Sequence, residues 1–291
     1  MEAFDYLAPR SLAEVYEAVG NGRRSLFLAG GTDVIVQLRE GRRNCDQLID
    51  LKHINELTTY RFGPDGSLEI GAATPLAVLY EDPEVRRRFP ALVDAITIIG
   101  GIAIQSRASI GGNLCNASPA ADSPPALMTL GATLVIGSKA GTRELPVEQF
   151  IIGPGQNALQ PGEILQTIRV PAQPANSGAF YHRFIPRNEM DIAVASAGAR
   201  LVLDPSHSRI ESATVALGAV AATPLLVPEA AEALRGQAPT AEAFARAGEA
   251  AAAAANPITD MRGSVAQRKH LAKVLTVRAL ERALQRIQEV R

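Results

Sequence analysis

The chain has two cysteines, Cys45 and Cys115, no tryptophan, and only 4% aromatic residues. Two thiols cannot supply the four ligands of an iron–sulfur cluster or a structural zinc, so no such centre is built from this chain alone. The four histidines, His53, His182, His207 and His270, are scattered, with no short spacing of the kind that holds a metal. An excess of one charge is missing too: 29 Lys and Arg face 30 Asp and Glu, for a net charge of -1. That balance gives no basic surface for nucleic acid. No apolar run approaches membrane-spanning length. The opening MEAFDYLAPRSL has neither the basic start nor the apolar core of an export signal, so a cytoplasmic location is expected.

What is present is a globular composition, 47% hydrophobic and 20% charged over 291 residues, enough for one large domain or two ordinary ones. The chain is organised around Ser109 to Leu127, SIGGNLCNASPAADSPPAL. Adjacent glycines such as Gly111 and Gly112 leave backbone N–H groups unshielded by a Cβ, so they can turn together toward an anion. Asn113, Asn116 and Ser118 add neutral donors. Asp122 would repel a phosphate and is better suited to accept from a sugar-like hydroxyl. Ser123 or Asp122 can cap a helix that tolerates Pro124 and Pro125 in its first turn.

A second stretch of similar chemistry lies upstream, Leu26 to Val34, LFLAGGTDV. Here a strand-like run delivers Gly30 and Gly31 to the start of the helix VIVQLREG, where free N–H groups and the helix dipole favour an anion. One glycine pair is a tight turn and nothing more. Two in one domain fit a diphosphate.

Together AGGTDV and SIGGNLCNASPAADSPPAL resemble the FAD-binding medium subunit of the molybdenum hydroxylases, the family of carbon monoxide, xanthine, aldehyde and N-heteroaromatic dehydrogenases. The resemblance implies an α+β fold: a two-lobed PCMH-type FAD-binding domain, then a C-terminal domain with a three-stranded antiparallel sheet and helices. By motif position it carries the diphosphate contacts to Ala29, Gly30, Gly31, Thr32 and Asp33, and to Ser109, Ile110, Gly111, Gly112 and Asn113. Asp122 takes the position that binds ribityl or sugar hydroxyls, Leu165 packs on the isoalloxazine ring, and Arg183 stands at the outer edge of the flavin. A core leucine and a surface charge are the plain alternatives at Leu165 and Arg183. Two departures stand out. Ile99 replaces the aromatic that stacks on flavin in the eukaryotic xanthine enzymes. The first turn reads AGGTD where carbon monoxide dehydrogenases read AGGHS, which points toward aldehyde, purine or N-heteroaromatic substrates.

Along the chain, Ser11 reads as the cap of a helix LAEVYEAVG, followed by strands at SLFLA and LIDL and a hairpin around Pro64-Asp65-Gly66. IAIQSRAS reads as extended and GPGQNALQPG as a loop. Hairpins follow near Lys139 to Gly141 and Pro205 to Ser208, and the remainder is helical, including the Ala250 to Ala255 run ended by Asn256-Pro257. The expected division is 1–57 and 58–176 for the two lobes and 177–291 for the C-terminal domain.

The function implied is electron transfer: [2Fe-2S] clusters on a small partner feed FAD on this chain, and a molybdopterin cofactor on a large partner carries the hydroxylation, in a dimer of heterotrimers. No side chain in either motif is an obvious nucleophile or proton carrier, as a cofactor-borne redox mechanism requires. A stand-alone PCMH-type flavin oxidoreductase is the alternative; it would need acid–base groups, for which His182, Asp191, His207 and His270 are the candidates. A flavin-free assembly protein is the third reading, and two side-chain-free turns argue against it.

Overall fold

In the computed structural model, which describes residues 2–187 and 190–289, parallel pairing builds the first layer. β1 (Asp5–Leu7), β2 (Ser25–Leu28) and β3 (Gln47–Asp50) form a sheet in the order β1-β3-β2. The helices Leu12–Val19 and Val34–Arg39 make the two crossovers. The middle strand β3 is buried at all four positions, as expected for a parallel strand covered on both faces. Ser11 caps the first helix as expected, its hydroxyl accepting from Glu14 N at 3.3 Å. β1 escaped the sequence reading, because three residues are too few for an alternation to register.

The second layer is antiparallel. β4 (Tyr60–Phe62), β5 (Leu68–Gly71), β6 (Thr133–Ser138), β7 (Gly141–Pro146) and, after a small hairpin of β8 (Ile151–Gly153) and β9 (Gln156–Asn157), β10 (Ile164–Val170) assemble in the order β4-β5-β10-β6-β7. One face sends Leu68, Ile70, Leu134, Ile136, Ile168 and Val170 into a core completed by the helices Leu76–Glu81, Pro83–Arg88, Pro90–Ile96 and Ser123–Leu130. The β8–β9 hairpin lies where a plain loop was expected. IAIQSRAS, expected to be extended, instead forms a helical turn at Ile102–Gln105, held where Gln105 donates its side-chain amide to the carbonyls of Thr97 and Ile99.

The third sheet runs β11 (Ser177–Phe184), β12 (Ala195–Leu203), β13 (Ile210–Gly218) and β14 (Leu225–Leu226), antiparallel and in that order. It has four strands where three were expected; β14 is only two residues long and adds to β13 through Ala216 and Leu217. Helices Pro228–Leu234, Ala241–Ala254 and Val265–Glu289 cover it. Small residues on β12 (Ala195, Ala197, Ala199) and on the last helix (Ala272, Ala279, Ala283) let the two approach closely within one core. Thr240 caps the alanine-rich helix, which ends at Ala254, just before Asn256-Pro257.

Among the described residues, two ion pairs tie this sheet and its last helix to the preceding layer. Arg286 on the last helix pairs with Asp94 at 2.6 and 2.8 Å and donates to the Ala179 carbonyl, with its guanidinium 4.9 Å from the Phe180 ring centroid. Asp94 also accepts from Tyr181 N at 3.3 Å. The other link is the Asp122–Arg183 pair. No helix among the described residues is long and apolar enough to cross a membrane.

Candidate functional site: a cleft between two glycine turns

The two motifs meet. β2 ends at Leu28 and delivers Ala29 to Asp33 to one wall of an open cleft; Ser109, Gly111, Gly112 and Asn113 line the facing wall. Of the thirteen residues singled out in the sequence, ten line this cleft: Ala29, Gly30, Gly31, Thr32, Asp33, Ser109, Gly111, Gly112, Asn113 and Leu165. Ile110 turns into the core, 1% exposed. Asp122 and Arg183 lie off the cleft and hold each other.

The turns are built differently. In the first, Gly31 adopts φ +78°, a conformation that side-chain-bearing residues rarely take. Among the described residues, the backbone N–H groups of Gly30, Gly31, Thr32 and Asp33 have no protein acceptor. They are donors in need of a partner, on a wall lined by Gly30 and Gly31. Asp33 sits at the cap position of the helix Val34–Arg39 but makes no capping bond. Its carboxyl pKa is raised by desolvation against the cleft wall, opposed by nearby Arg42, although its solvent side is open.

In the second motif the glycines are not in a loop but in the first turn of the helix Ile110–Asn116. Ser109 caps that helix, its hydroxyl accepting from Gly112 N at 3.1 Å and its carbonyl from Asn113 N at 3.0 Å, while Gly111 N donates to the Ala72 carbonyl at 3.1 Å. The N–H groups expected to face an anion are therefore spent inside the protein. A Cβ on Gly111 would lie 2.3 Å from the Ala72 carbonyl oxygen; one on Gly112 would meet only Ser109 Oγ at 3.1 Å and Ala29 Cβ at 4.0 Å. Gly111 permits packing, and Gly112 keeps open the gap between the two turns.

Side chains supply this wall's polarity. Asn113 Oδ1 accepts from Ser123 Oγ at 2.6 Å, which leaves the Asn113 NH2 to donate toward the cleft. Gln37 from the first wall donates to Asn116 Oδ1 of the second at 2.9 Å, a strap from one motif to the other. Neither Asp122 nor Ser123 caps the helix Ser123–Leu130, contrary to expectation, because both side chains have other partners.

Apolar residues close the other side. Leu165 is 3% exposed and belongs to the core as well as to the cleft, and Ile99 lines the cleft beside it. Cys115 also lines it, with its thiol pushed up to about 12 by burial. A thiol so placed stays protonated and unreactive at neutral pH.

Asp122 and Arg183 form a buried pair at 2.6 Å, with side chains 7% and 6% exposed; Tyr181 donates its hydroxyl to the other Asp122 oxygen at 2.7 Å. The surface-charge alternative for Arg183 is thereby excluded. Burial pushes the Asp122 carboxyl up to about 6, against the downward pull of Arg183 and Tyr181. Through Ser123 and Asn113 this cluster stands one residue behind the cleft wall. The acid–base candidates are not gathered: His182 stacks on Phe180, His207 contacts Asn176, Asp191 pairs with Arg187, and none of these, nor His270, lines the cleft. Sequence reasoning missed Gln37, Arg43 and Asn157, all on the cleft wall. They lie outside the glycine motifs, and only the fold brings them in.

Comparison with known proteins places this cleft in context. Residues 2–173 match the family described as FAD binding domain in molybdopterin dehydrogenase, and residues 180–283 the CO dehydrogenase flavoprotein C-terminal domain. A putative xanthine dehydrogenase FAD-binding subunit of Escherichia coli (strain K12) is 31% identical over 96% of this chain and 95% of its own length. The carbon monoxide dehydrogenase medium chain of Afipia carboxidovorans is 32% identical over 97% of this chain and 96% of its own. Among solved structures, a Cu,Mo-CO dehydrogenase chain superposes with a TM-score of 0.93 at 30% identity, covering 98% of this chain and 99% of that one. Quinoline 2-oxidoreductase of Pseudomonas putida 86 gives 0.91 at 30%, covering 98% of each.

Proposed function

The chain belongs to the family of FAD-binding medium subunits of molybdenum hydroxylases, which are oxidoreductases, and from that membership we propose that it carries electrons from [2Fe-2S] clusters of a small partner to an external acceptor. Hydroxylation then belongs to a large partner with a molybdopterin cofactor. The observation that carries this reading is the row of N–H groups at Gly30 to Asp33 that have no protein acceptor among the described residues, on a glycine-walled cleft where those residues gather no acid–base pair.

FAD held there would supply the exchange of electron pairs for single electrons that no side chain here can perform. The residues present fit it. The N–H groups of Gly30, Gly31, Thr32 and Asp33 bind the diphosphate, and Ala29 and Gly112 leave room for it between the walls. Ser109 and Ile110 fix the second helix, Gly111 seats that helix on Ala72, and Asn113 donates into the cleft. Leu165 and Ile99 exclude water from the ring. Asp122, which does not itself line the cleft, would orient a ribityl or sugar hydroxyl with the lone pair that each of its oxygens keeps beside its one protein donor. Arg183 holds Asp122 and lends positive charge to that end of the site.

The finer assembly belongs to the same proposal: a dimer of heterotrimers in the cytoplasm, with this chain divided at 57/58 and 176/177. The AGGTD turn favours an aldehyde, purine or N-heteroaromatic substrate, a choice that identities of 31% to the xanthine relative and 32% to the carbon monoxide relative leave to experiment. The test begins with a visible absorption spectrum of the purified chain and chromatography of the cofactor released on denaturation. Released FAD, and co-purification with two partner subunits on co-expression, are the expected results. A colourless chain that takes up no added FAD overturns the site. Bleaching of the isolated chain by an organic substrate would move the stand-alone oxidoreductase to the front.

A further inference from the structure

The diphosphate of FAD carries two negative charges, and the backbone donors at Gly30 to Asp33 carry no full positive charge to meet them. Among the described residues the one carboxylate lining the cleft, Asp33, lies in the same turn and opposes them. A full positive charge on that wall would strengthen the hold, and the sequence motifs contain none.

The structure supplies one. After the helix Val34–Arg39 the chain doubles back, with Arg42 N and Arg43 N both donating to the Gln37 carbonyl at 2.9 and 3.3 Å. The two arginines then part. Arg42 turns to Glu40, pairing at 2.6 Å, while Arg43 lines the cleft alongside Gln37. Arg43 is the single cation among the cleft-lining residues, and among the described residues it has neither a carboxylate partner nor a side-chain hydrogen bond. Most other arginines near a carboxylate here are paired, as at Arg24–Asp46, Arg61–Glu69 and Arg143–Glu163. A guanidinium left unpaired on a cleft wall offers up to five N–H donors in a fork that suits phosphate oxygens.

We propose that Arg43 is a binding residue for the diphosphate of the cofactor, supplying the full charge that the glycine turn lacks. This inference rests on the FAD reading above. Gln37 and its bond to Asn116 hold the wall from which Arg43 reaches, so the arginine, the N–H row and the second motif act on one ligand from two sides.

The test is titration of the full chain, stripped of bound flavin, with FAD and with riboflavin, followed by flavin fluorescence at low and high salt. R43A is expected to weaken FAD binding about ten- to hundredfold, the value of a charge-assisted hydrogen bond, and to leave riboflavin binding unchanged. The salt dependence of FAD affinity seen in the wild type should flatten in R43A. R43K, which keeps the charge and loses the fork, should fall between the two. R61A serves as the control, with wild-type affinity expected because Arg61 pairs with Glu69 and does not line the cleft. Arg43 is exposed and unpaired, so these variants should keep the wild-type melting temperature. Wild-type FAD affinity in R43A overturns the assignment. So does equal loss of FAD and riboflavin, or a weakened affinity whose salt dependence is unchanged. A wild-type chain that takes up no FAD overturns the cofactor reading and this inference with it, a result distinct from any of those.

Discussion

Both turns of the cleft carry a glycine pair, and the pairs serve opposite ends. In the first, the glycines leave N–H donors bare, and Gly31 takes a backbone conformation that a side chain would strain. In the second, the donors are already bound to Ser109 and Ala72, and the glycines matter for what their missing side chains let approach. One turn is shaped to hold a ligand and the other to hold the protein together around it. The same dipeptide thus has two meanings, and the destination of each N–H tells them apart.

Several substitutions break or sharpen that contrast. The largest effect is expected at the anchor of the second wall: D122A leaves Arg183 charged and buried without a partner and should cost about 3–5 kcal/mol of stability in denaturant unfolding. A loss below about 1 kcal/mol would mean that the pair is not closed off from water. Next come the packing glycines. A Cβ at Gly111 would lie 2.3 Å from the Ala72 carbonyl oxygen and one at Gly30 2.1 Å from that of Arg107, so G111A and G30A should each lose about 3 kcal/mol in the same measurement. Gly30 therefore belongs to both classes, a ligand-facing donor and a packing site.

Gly112 separates the classes. G112A puts a methyl group into the gap facing Ala29, where only Ser109 Oγ, at 3.1 Å, has to give way, so the melting temperature should fall little while FAD affinity falls about tenfold or more. An unaltered FAD affinity would show that the cofactor does not pass between the turns. A further effect is in pH. Asp122 titrates near 3.8 when unfolded and at about 6 when folded, so the native state holds its proton more tightly. Its contribution to stability is full below the unfolded value and is lost as pH rises through about 6. The melting temperature of the wild type, relative to D122N, should therefore decline across that window. A rise instead would show that pairing with Arg183 outweighs burial.

Much of this was legible from residue order. The two motifs, their shared cleft, the hairpin at Pro64 to Gly66, the capped helix after Ser11 and the alanine-rich helix all follow from local signals. Local signals failed where distant partners decided the outcome. Ile102–Gln105 is helical because Gln105 reaches back to Thr97 and Ile99, and the donors of Gly111 and Gly112 are spent because Ala72 and Ser109 accept them. Arg183, a flavin-edge cation by resemblance and a surface charge by the plain alternative, is buried because the fold brings Asp122 to it. Arg43 was silent for the same reason in reverse: nothing in its neighbourhood in sequence tells that its partner Arg42 faces away.

The pairing of Asp94 with Arg286 has a consequence in time. The two residues are separated by 192 positions, so on a ribosome adding about 5–20 residues per second the aspartate waits roughly 10–40 s for its partner to be made. During that wait the helix Pro90–Ile96, which leads to the cleft residue Ile99, carries a carboxylate meant for a half-buried site. A released chain truncated before residue 286 should be more open to protease around that helix than one that carries Arg286. If it is, the helix behind one wall of the cofactor cleft is locked only by a residue made long after it, and flavin loading waits on the last helix rather than on the cleft's own residues.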